Sequence, residues 1–224
     1  MMINIFVDIE TIPNQSPEYR AKVREGIKPP AQFKKQDSID AWMAENAESA
    51  TDEIVAKTSF DPAYGHIACI GFAVGDDSVH SLAAETVDCE ATVLEGFFNV
   101  ISATAGVHMV KWIGHYISGF DLRFLLNRAI VLGVKLPSSM ILPRDIKPWS
   151  DQVFDTMTAW AGAKGTISQD NLAKALGLAG KGDFDGSMVA EAWAKGEHDK
   201  IAAYCRDDVE TVRAIYRKFE QVGY

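Results

Sequence analysis

The sequence predicts an α/β protein with a mixed five-stranded sheet flanked by helices. Residues 3–9 are rich in Ile, Val and Phe and apolar on both alternating faces, as in a strand covered on both sides. Two further strand-like runs, 66–74 and 78–83, are joined by Gly-Asp-Asp, which predicts a hairpin. Strand-like and helical patterns then alternate along the chain. Hairpin strands followed by βαβ units indicate a mixed sheet.

The opening strand is expected at the centre of this sheet. Residues 14–59 are charge-rich and helical in pattern, so we expect a helical insertion after the first strand, within a single domain that covers residues 1–224. The remaining elements are expected in this order: a helix at 88–103 with Asp88 as its N-cap, a strand at 107–113, a helix at 119–132, a short strand at 153–157, and helices up to residue 219.

The composition excludes several classes of protein. The chain has 224 residues, of which 47% are hydrophobic, so it can bury a sizeable core. A net charge of -9 argues against a broad basic surface that coats nucleic acid, but not against a small acidic centre. Three widely spaced cysteines predict neither disulfides nor a Cys-rich zinc site and favour a cytoplasmic location. Apolar runs fall short of the roughly 20 residues that span a bilayer.

Two acidic residues interrupt the first buried strand. Asp8 and Glu10 are two positions apart, so their side chains project to the same face, about 6.6 Å apart along the strand. Burying both carboxylates costs roughly several kcal/mol of folding free energy unless cations or hydrogen-bond donors offset that cost. Residues 1–19 contain no Lys or Arg to do so. A strand that ends in a solvated acidic turn is the simpler alternative.

Two further carboxylates occupy helices. Asp121 lies near the start of a predicted helix, where an acid also suits the helix dipole. Asp208 completes an otherwise apolar helical stripe, whereas Asp207 projects about 100° away and is expected in solvent. Tyr204, four residues before Asp208, lies on the same side of the helix. A purely structural Asp208, bonded to a buried Arg or a backbone amide, stays open.

Together these acids predict a site for hard cations. Each has a structural explanation of its own, but the strand and both helices direct them inward. Several convergent carboxylates suit Mg²⁺ or Mn²⁺ much better than zinc.

Three motifs carry a resemblance to a known family. DIET at 8–11, FDLRFL at 120–125 and YCRDD at 204–208 resemble the motifs of the DEDD (DnaQ-like) 3′-5′ exonucleases, and the tyrosine marks the DEDDy branch. More narrowly, DIETIP, FDPAYGHIACIGFAVG, LGLAGKGDFDG and YCRDDVET resemble stand-alone exonucleases related to the proofreading domain of family-B DNA polymerases. The resemblance covers most of the chain and implies an RNase H-like fold.

The resemblance also implies an activity. We expect hydrolysis of 3′-terminal phosphodiester bonds, mainly in single-stranded DNA, with release of nucleoside monophosphates. The implied cofactors are two divalent ions, Mg²⁺ or Mn²⁺, with Asp8, Glu10, Asp121 and Asp208 as their ligands. Tyr204 is expected to contact the attacking water. Replication or repair machinery is a candidate partner. The alternatives are an inactive nucleic-acid-binding module on the same fold, or an enzyme that trims RNA or cuts internally.

The substrate-binding residues follow from the same motifs. The resemblance implies that the backbone amide of Thr11 contacts the 3′-hydroxyl. Ile12, Tyr116 and Phe120 are candidates to stack on terminal bases, although Phe120 could equally be a core residue. Tyr116 lies where the family commonly has Asn. This difference puts substrate binding in doubt more than the hydrolytic reaction. Asp155, at a strand end, is expected to support the site rather than to react. Three lysines of the insertion are candidates to contact the nucleic-acid backbone: Lys28, Lys34 and Lys35.

Overall fold

A computed structural model describes residues 2–105, 109–136, 151–180 and 182–224. Within these residues the strands are β1 (Met2–Ile12), β2 (His66–Val74), β3 (His80–Ala83), β4 (Met109–Gly114) and β5 (Val153–Asp155). The helices in the same ranges are α1 (Pro17–Gly26), α2 (Gln36–Lys57), α3 (Glu90–Ala105), α4 (Asp121–Leu132), α5 (Thr156–Ala161), α6 (Gln169–Ala175), α7 (Val189–Ala194) and α8 (His198–Gln221).

The five strands form one mixed sheet in the order β3-β2-β1-β4-β5. β1 pairs antiparallel with β2 and parallel with β4, so the opening strand is central. β2 and β3 form the antiparallel hairpin, and β4 and β5 run parallel. The predicted mixed sheet, central strand and hairpin are confirmed.

The alternation of β1 divides the core into two layers. Ile5, Val7 and Ile9 pack against α3 and α4. Phe6, on the opposite face, packs against residues of α8 such as Val209. Because strand side chains alternate, Asp8 and Glu10 follow Phe6 on the face that α8 covers.

The C-terminal half of β1 extends beyond β4. The parallel pairing ends where Phe6 lies opposite Ile113, whereas the pairing with β2 continues to Ile12. A shift of register between Glu10 and Thr11 marks a bulge in this half. One edge of β1 is therefore open to other partners where its acidic residues lie.

Several predicted boundaries were wrong; for example, β3 begins at His80 rather than at 78, and α4 begins at Asp121 rather than at 119. β1 reaches Ile12 rather than residue 9, because the neighbouring β2 continues to pair with it. The strand expected at 153–157 ends at Asp155, whose carboxylate accepts the backbone N–H groups of Met157 and Thr158 and so begins α5. Asp88 is not the N-cap of α3, since it lies in a 3-10 turn before the helix. Residues 107 and 108 of the predicted strand lie outside the described residues.

The segment between β1 and β2 is helical, as predicted. α1 and α2 are joined by ion pairs from Arg20 to Glu48 and Asp52. A 3-10 turn, Thr58–Phe60, leads from α2 towards β2. Among the described helices, none has both the length and the apolar character needed to cross a bilayer.

Candidate active site

The carboxylates of β1 meet α8 at Cys205. Ligand atoms of Asp8, Glu10 and Cys205 lie within 4.8 Å of one another. The Cys205 thiol donates to the backbone carbonyl of Asp8 at 3.4 Å, and its sulfur is 3.7 Å from Asp8 Oδ2. Gly71 of β2 lies opposite Asp8, and a Cβ at this position would be 2.8 Å from the carbonyl oxygen of Cys205. The missing side chain therefore lets α8 come close to the acidic end of β1.

Asp121 binds the open edge of β1 at the start of α4. Its Oδ1 accepts the backbone N–H of Ile9 at 3.1 Å, a group that β4 does not reach. The pKa of Asp121 is raised to about 7, chiefly by burial and in addition by the charges of Asp155 and Asp208, while backbone N–H groups oppose the shift. Asp121 therefore lies within the field of the other acids.

Asp208 and Tyr204 approach the same place from α8. Asp208 is buried, and Gln169 Nε2 donates to its Oδ1 at 2.9 Å and to its backbone carbonyl at 3.2 Å. Burial raises the pKa of Tyr204 above its ordinary value, and the charges of Asp208, Glu10 and Asp8 raise it further. The hydroxyl of Tyr204 therefore stays protonated at neutral pH. Asp207, the neighbour of Asp208, is exposed as predicted.

Asp155 fixes the loop between β4 and α4. Its buried carboxylate accepts the backbone N–H groups of Tyr116 at 3.0 Å and Ser118 at 3.1 Å, and the Ser118 hydroxyl at 2.6 Å. These bonds hold the loop that precedes Asp121, and the supporting role of Asp155 in the site stays a prediction. Tyr116 has a φ of 60°, a left-handed conformation that Asn adopts more readily than Tyr. Its side chain is 49% exposed and its ring lies over Gly119, where a Cβ would be 2.3 Å away.

The other predicted substrate residues differ in accessibility. Ile12 is 1% exposed and packs with Cys69 and Ile201, so its side chain offers no face to a base and that prediction was wrong. Residues of α7 and α8 pack on this face and cover it. Phe120 is half-buried against Phe124, and Thr11 is also half-buried. Three insertion lysines are exposed, and their contact with nucleic acid stays a prediction: Lys28, Lys34 and Lys35.

A groove of about 450 Å³ opens beside Tyr204 and Asp208. Phe184 lines it and packs edge-on against Tyr204, with ring centroids 5.0 Å apart. Lys200 Nζ lies 4.9 Å from the centre of the Phe184 ring. The groove thus gives access to the α8 side of the acidic cluster through a surface that is partly aromatic.

Two residues that contact the acids could not be identified as site residues from the sequence. Cys205 occupies the predicted buried stripe of α8, but its contact with Asp8 depends on Gly71 of another strand. Gln169 is separated from Asp208 by 39 residues, and a glutamine at the start of a helix carries no signal of its own. Both contacts depend on the packing of separate elements.

The donor set fits hard divalent ions. Asp8 and Glu10 offer carboxylate oxygens of the kind that Mg²⁺ and Mn²⁺ prefer, within 4.8 Å of each other. Asp208 acts electrostatically on both Tyr204 and Asp121, so the two aspartates face the same region. Burial raises the pKa of the Cys205 thiol, and Cys69, Asp8 and Glu10 raise it further. Cys205 is therefore a protonated hydrogen-bond donor to the backbone carbonyl of Asp8.

Comparison with known proteins gives a family and a fold. Residues 64–223 match a family profile described as a predicted 3′-5′ exonuclease related to the exonuclease domain of PolB. The matched region contains Asp121, Tyr204 and Asp208, whereas Asp8 and Glu10 precede it. A search of curated protein sequences finds no significant match.

One solved structure with a similar fold is the family B DNA polymerase from the hyperthermophilic archaeon Pyrobaculum calidifontis. The TM-score is 0.59 and the sequence identity is 16%, over 97% of this chain. This chain spans 24% of the polymerase chain. The likeness confirms the predicted RNase H-like fold.

Proposed function

Because the chain belongs to the family of predicted 3′-5′ exonucleases related to the exonuclease domain of PolB, we propose that it removes nucleotides from the 3′ end of single-stranded DNA. Water would attack the terminal phosphodiester, the 3′-oxygen of the penultimate nucleotide would leave with a proton, and a nucleoside 5′-monophosphate would be released. The proposal assigns this reaction to the cluster around Asp8, Glu10, Asp121 and Asp208.

The observation that carries the proposal is the convergence of carboxylates from three elements. Asp8 and Glu10 come from β1, Asp121 from α4 and Asp208 from α8. A fold gains nothing from gathering like charges, because each one raises the cost of ionising the next. The raised pKa of Asp121 is consistent with that cost. A site that gathers acids in this way is suited to bind cations.

These carboxylates would hold two Mg²⁺ or Mn²⁺ ions. When bound, such ions lower the pKa of a water molecule and stabilise the charge of the leaving oxygen. They would also offset the four carboxylate charges, so that the site accepts an anionic phosphodiester. The chain itself keeps its ligands in position, since Ile9 N–H holds Asp121 and Gln169 holds Asp208.

Tyr204 would orient the attacking water. Burial and the charges of Asp208, Glu10 and Asp8 raise the pKa of its hydroxyl, which keeps the proton on the oxygen. A protonated phenol is a poor general base but a good hydrogen-bond partner. Phe184, packed edge-on against the Tyr204 ring, limits the motion of that ring. We therefore assign Tyr204 a positioning role.

The 3′-terminal nucleotide would lie between the open end of β1 and the start of α4. Thr11 would offer its backbone amide to the 3′-hydroxyl, while Phe120 and Tyr116 would contact the base. The half-exposed ring of Tyr116 and its fixed loop support this role. Arg and Lys side chains are few along β1, so the grip would come from stacking and from bound ions rather than from a basic channel.

The proposal is tested by incubating the purified protein with 5′-labelled single-stranded DNA in Mg²⁺ or Mn²⁺. We expect a ladder of products shortened from the 3′ end, release of nucleoside monophosphates, and complete inhibition by EDTA. Linear RNA and circular DNA serve as parallel substrates. A ladder from RNA alone would make the protein an RNA-trimming enzyme, and cleavage of circles would make it an endonuclease. Binding without any cleavage would make it an inactive binding module.

A further inference from the structure

Phe60 is an exposed aromatic residue beside the candidate site that the proposed chemistry does not use. It ends the 3-10 turn after α2 and is 73% exposed. The centre of its ring lies 6.4 Å from that of Phe120, which directly precedes Asp121 in the chain. Phe60 therefore continues the aromatic surface from the start of α4 outward into solvent. An exposed phenylalanine in this place gains free energy only when a partner covers it.

The turn that carries Phe60 is anchored at both ends. The hydroxyl of Thr11, next to Glu10 in β1, donates to the carbonyl of Ser59 at 2.7 Å. On the other side, Arg128 Nη1 of α4 donates to the carbonyl of Pro62 at 3.1 Å. Phe60 is thus fixed relative to both β1 and α4, the two elements that carry Asp8, Glu10 and Asp121. A fixed aromatic ring binds at a lower entropic cost than one on a free loop.

From this geometry we infer that Phe60 is a stacking platform for one base of the single strand whose 3′ end enters the site. The inference rests on the proposed exonuclease function and adds a substrate-binding residue to it. Phe120 directly precedes Asp121, and Phe60, whose ring centre is 6.4 Å from that of Phe120, is the more exposed of the two rings. The base on Phe60 would accordingly lie upstream of the terminal nucleotide, and the insertion between β1 and β2 would end in a substrate contact.

The charge of the protein favours a base over a phosphate as the occupant. The chain has a net charge of -9, which disfavours phosphate contacts over most of its surface. Stacking needs no positive charge, and every base presents an aromatic face. A ring exposed beside an acidic centre therefore suits a nucleobase.

The test is a substrate-and-variant cycle. Binding is measured by fluorescence anisotropy in Mn²⁺ on an Asp208→Asn background, which is expected not to cleave. The ligands are a 5′-labelled oligothymidylate and three versions with one abasic site at the first, second or third position from the 3′ end. Phe60→Ala should weaken binding of the complete strand about 10-fold, and Phe60→Trp should preserve it. An abasic site at one of the internal positions should weaken binding by the parent protein about as much as Phe60→Ala does. The same abasic site should cause no further loss of affinity in the Phe60→Ala variant.

Tyr224→Ala is the matched control. Tyr224 is 70% exposed, but its ring packs against Phe154 and Phe219, so this variant should bind all four strands like the parent. The inference is overturned if Phe60→Ala binds the complete strand as tightly as the parent. It is also overturned if every abasic site lowers the affinity of the parent and of Phe60→Ala by the same factor. If the wild-type chain binds DNA but does not trim it, the proposed function fails while this cycle still decides the role of Phe60. If no strand binds, the role of Phe60 fails, and the trimming assay on the wild-type chain decides the proposed function separately.

Discussion

Two buried carboxylate sites in this protein are built in opposite ways. Glu90, at the start of α3, is fully buried with its counter-charge beside it, since Arg128 Nε and Nη2 donate to its two oxygens at 2.7 and 2.6 Å. His66 Nδ1 and the backbone N–H of Ile67 complete the set at 3.0 and 2.9 Å. The candidate active site instead gathers several carboxylates around one another. The ion pair of Glu90 joins α3 to α4, whereas the candidate site draws its carboxylates from β1, α4 and α8.

The pKa directions follow from this difference. Burial pushes the pKa of Glu90 upward, but hydrogen bonds from His66 and Arg128 outweigh burial and the pKa is lowered overall. Burial also raises the pKa of Asp121, and there the neighbouring Asp155 and Asp208 add to the effect. The lowered pKa of Glu90 is typical of a carboxylate that serves the fold, whereas the raised pKa of Asp121 is typical of a functional site.

The largest expected effect separates two adjacent acids of α8. Asp208→Asn should lower the turnover number of 3′ trimming about 10³-fold or more, because it removes a proposed ion ligand. Asp207→Asn, at the exposed neighbour, should leave the turnover number unchanged. Single-turnover assays in Mn²⁺ measure both. Equal activity of the two variants would remove Asp208 from the site.

Breaking the other site should affect stability instead. Glu90→Gln leaves Arg128 buried without its counter-charge, so the free energy of unfolding should fall by about 3 kcal/mol. Asp208→Asn should not lower it, because like-charge repulsion is relieved. Urea denaturation in EDTA compares the two variants. A large loss in Asp208→Asn with none in Glu90→Gln would reverse the assignment of the two sites.

The raised pKa of Asp121 predicts a dependence of stability on pH in the absence of metal. Between its unfolded value of 3.8 and about 7, the folded state binds more protons than the unfolded state, so this residue lowers stability as the pH rises through that range. Asp121→Asn keeps the acceptor for Ile9 and removes the charge. In EDTA it should be more stable than the wild type by on the order of 2 kcal/mol at pH 8, with little difference near pH 4.

Thermal unfolding at a series of pH values measures this advantage. Added Mn²⁺ should reduce it, because bound ions stabilise the wild type only in its ionised form. An advantage of Asp121→Asn that is the same at every pH would show that the carboxyl group does not titrate in this range.

Tyr204→Phe should have a smaller effect. The loss of one orienting hydrogen bond is expected to lower the turnover number about 10-fold, with the Michaelis constant for the strand unchanged. The phenyl ring still packs against Phe184, so folding should be unaffected. Steady-state trimming assays measure both constants. A loss as complete as that of Asp208→Asn would give Tyr204 a direct chemical role.

The parts of the fold that local patterns encode were predictable. The continuous apolar run of β1 indicated a central strand, and the Gly-Asp-Asp turn indicated the hairpin of β2 and β3. The inward position of Asp208 followed from its place in the apolar stripe of α8. In each case the periodicity of one element was sufficient.

The parts that depend on contacts between elements were not predictable. Ile12 seemed available to a base, but helices from the end of the chain bury it. The contact of Cys205 with Asp8 depends on Gly71, and the exposure of Phe60 depends on a turn held by Thr11 and a distant arginine. The spacing of residues within one helix or strand does not predict contacts between separate elements.

Titration with Mn²⁺, followed by electron paramagnetic resonance, tests the central claim most directly. If the carboxylates of β1, α4 and α8 form a cation site, the wild type should bind two ions, Asp8→Asn should lose at least one of them, and Glu90→Gln should bind as the wild type does. Wild-type protein that binds no Mn²⁺, or Asp8→Asn that binds it unchanged, would contradict the account.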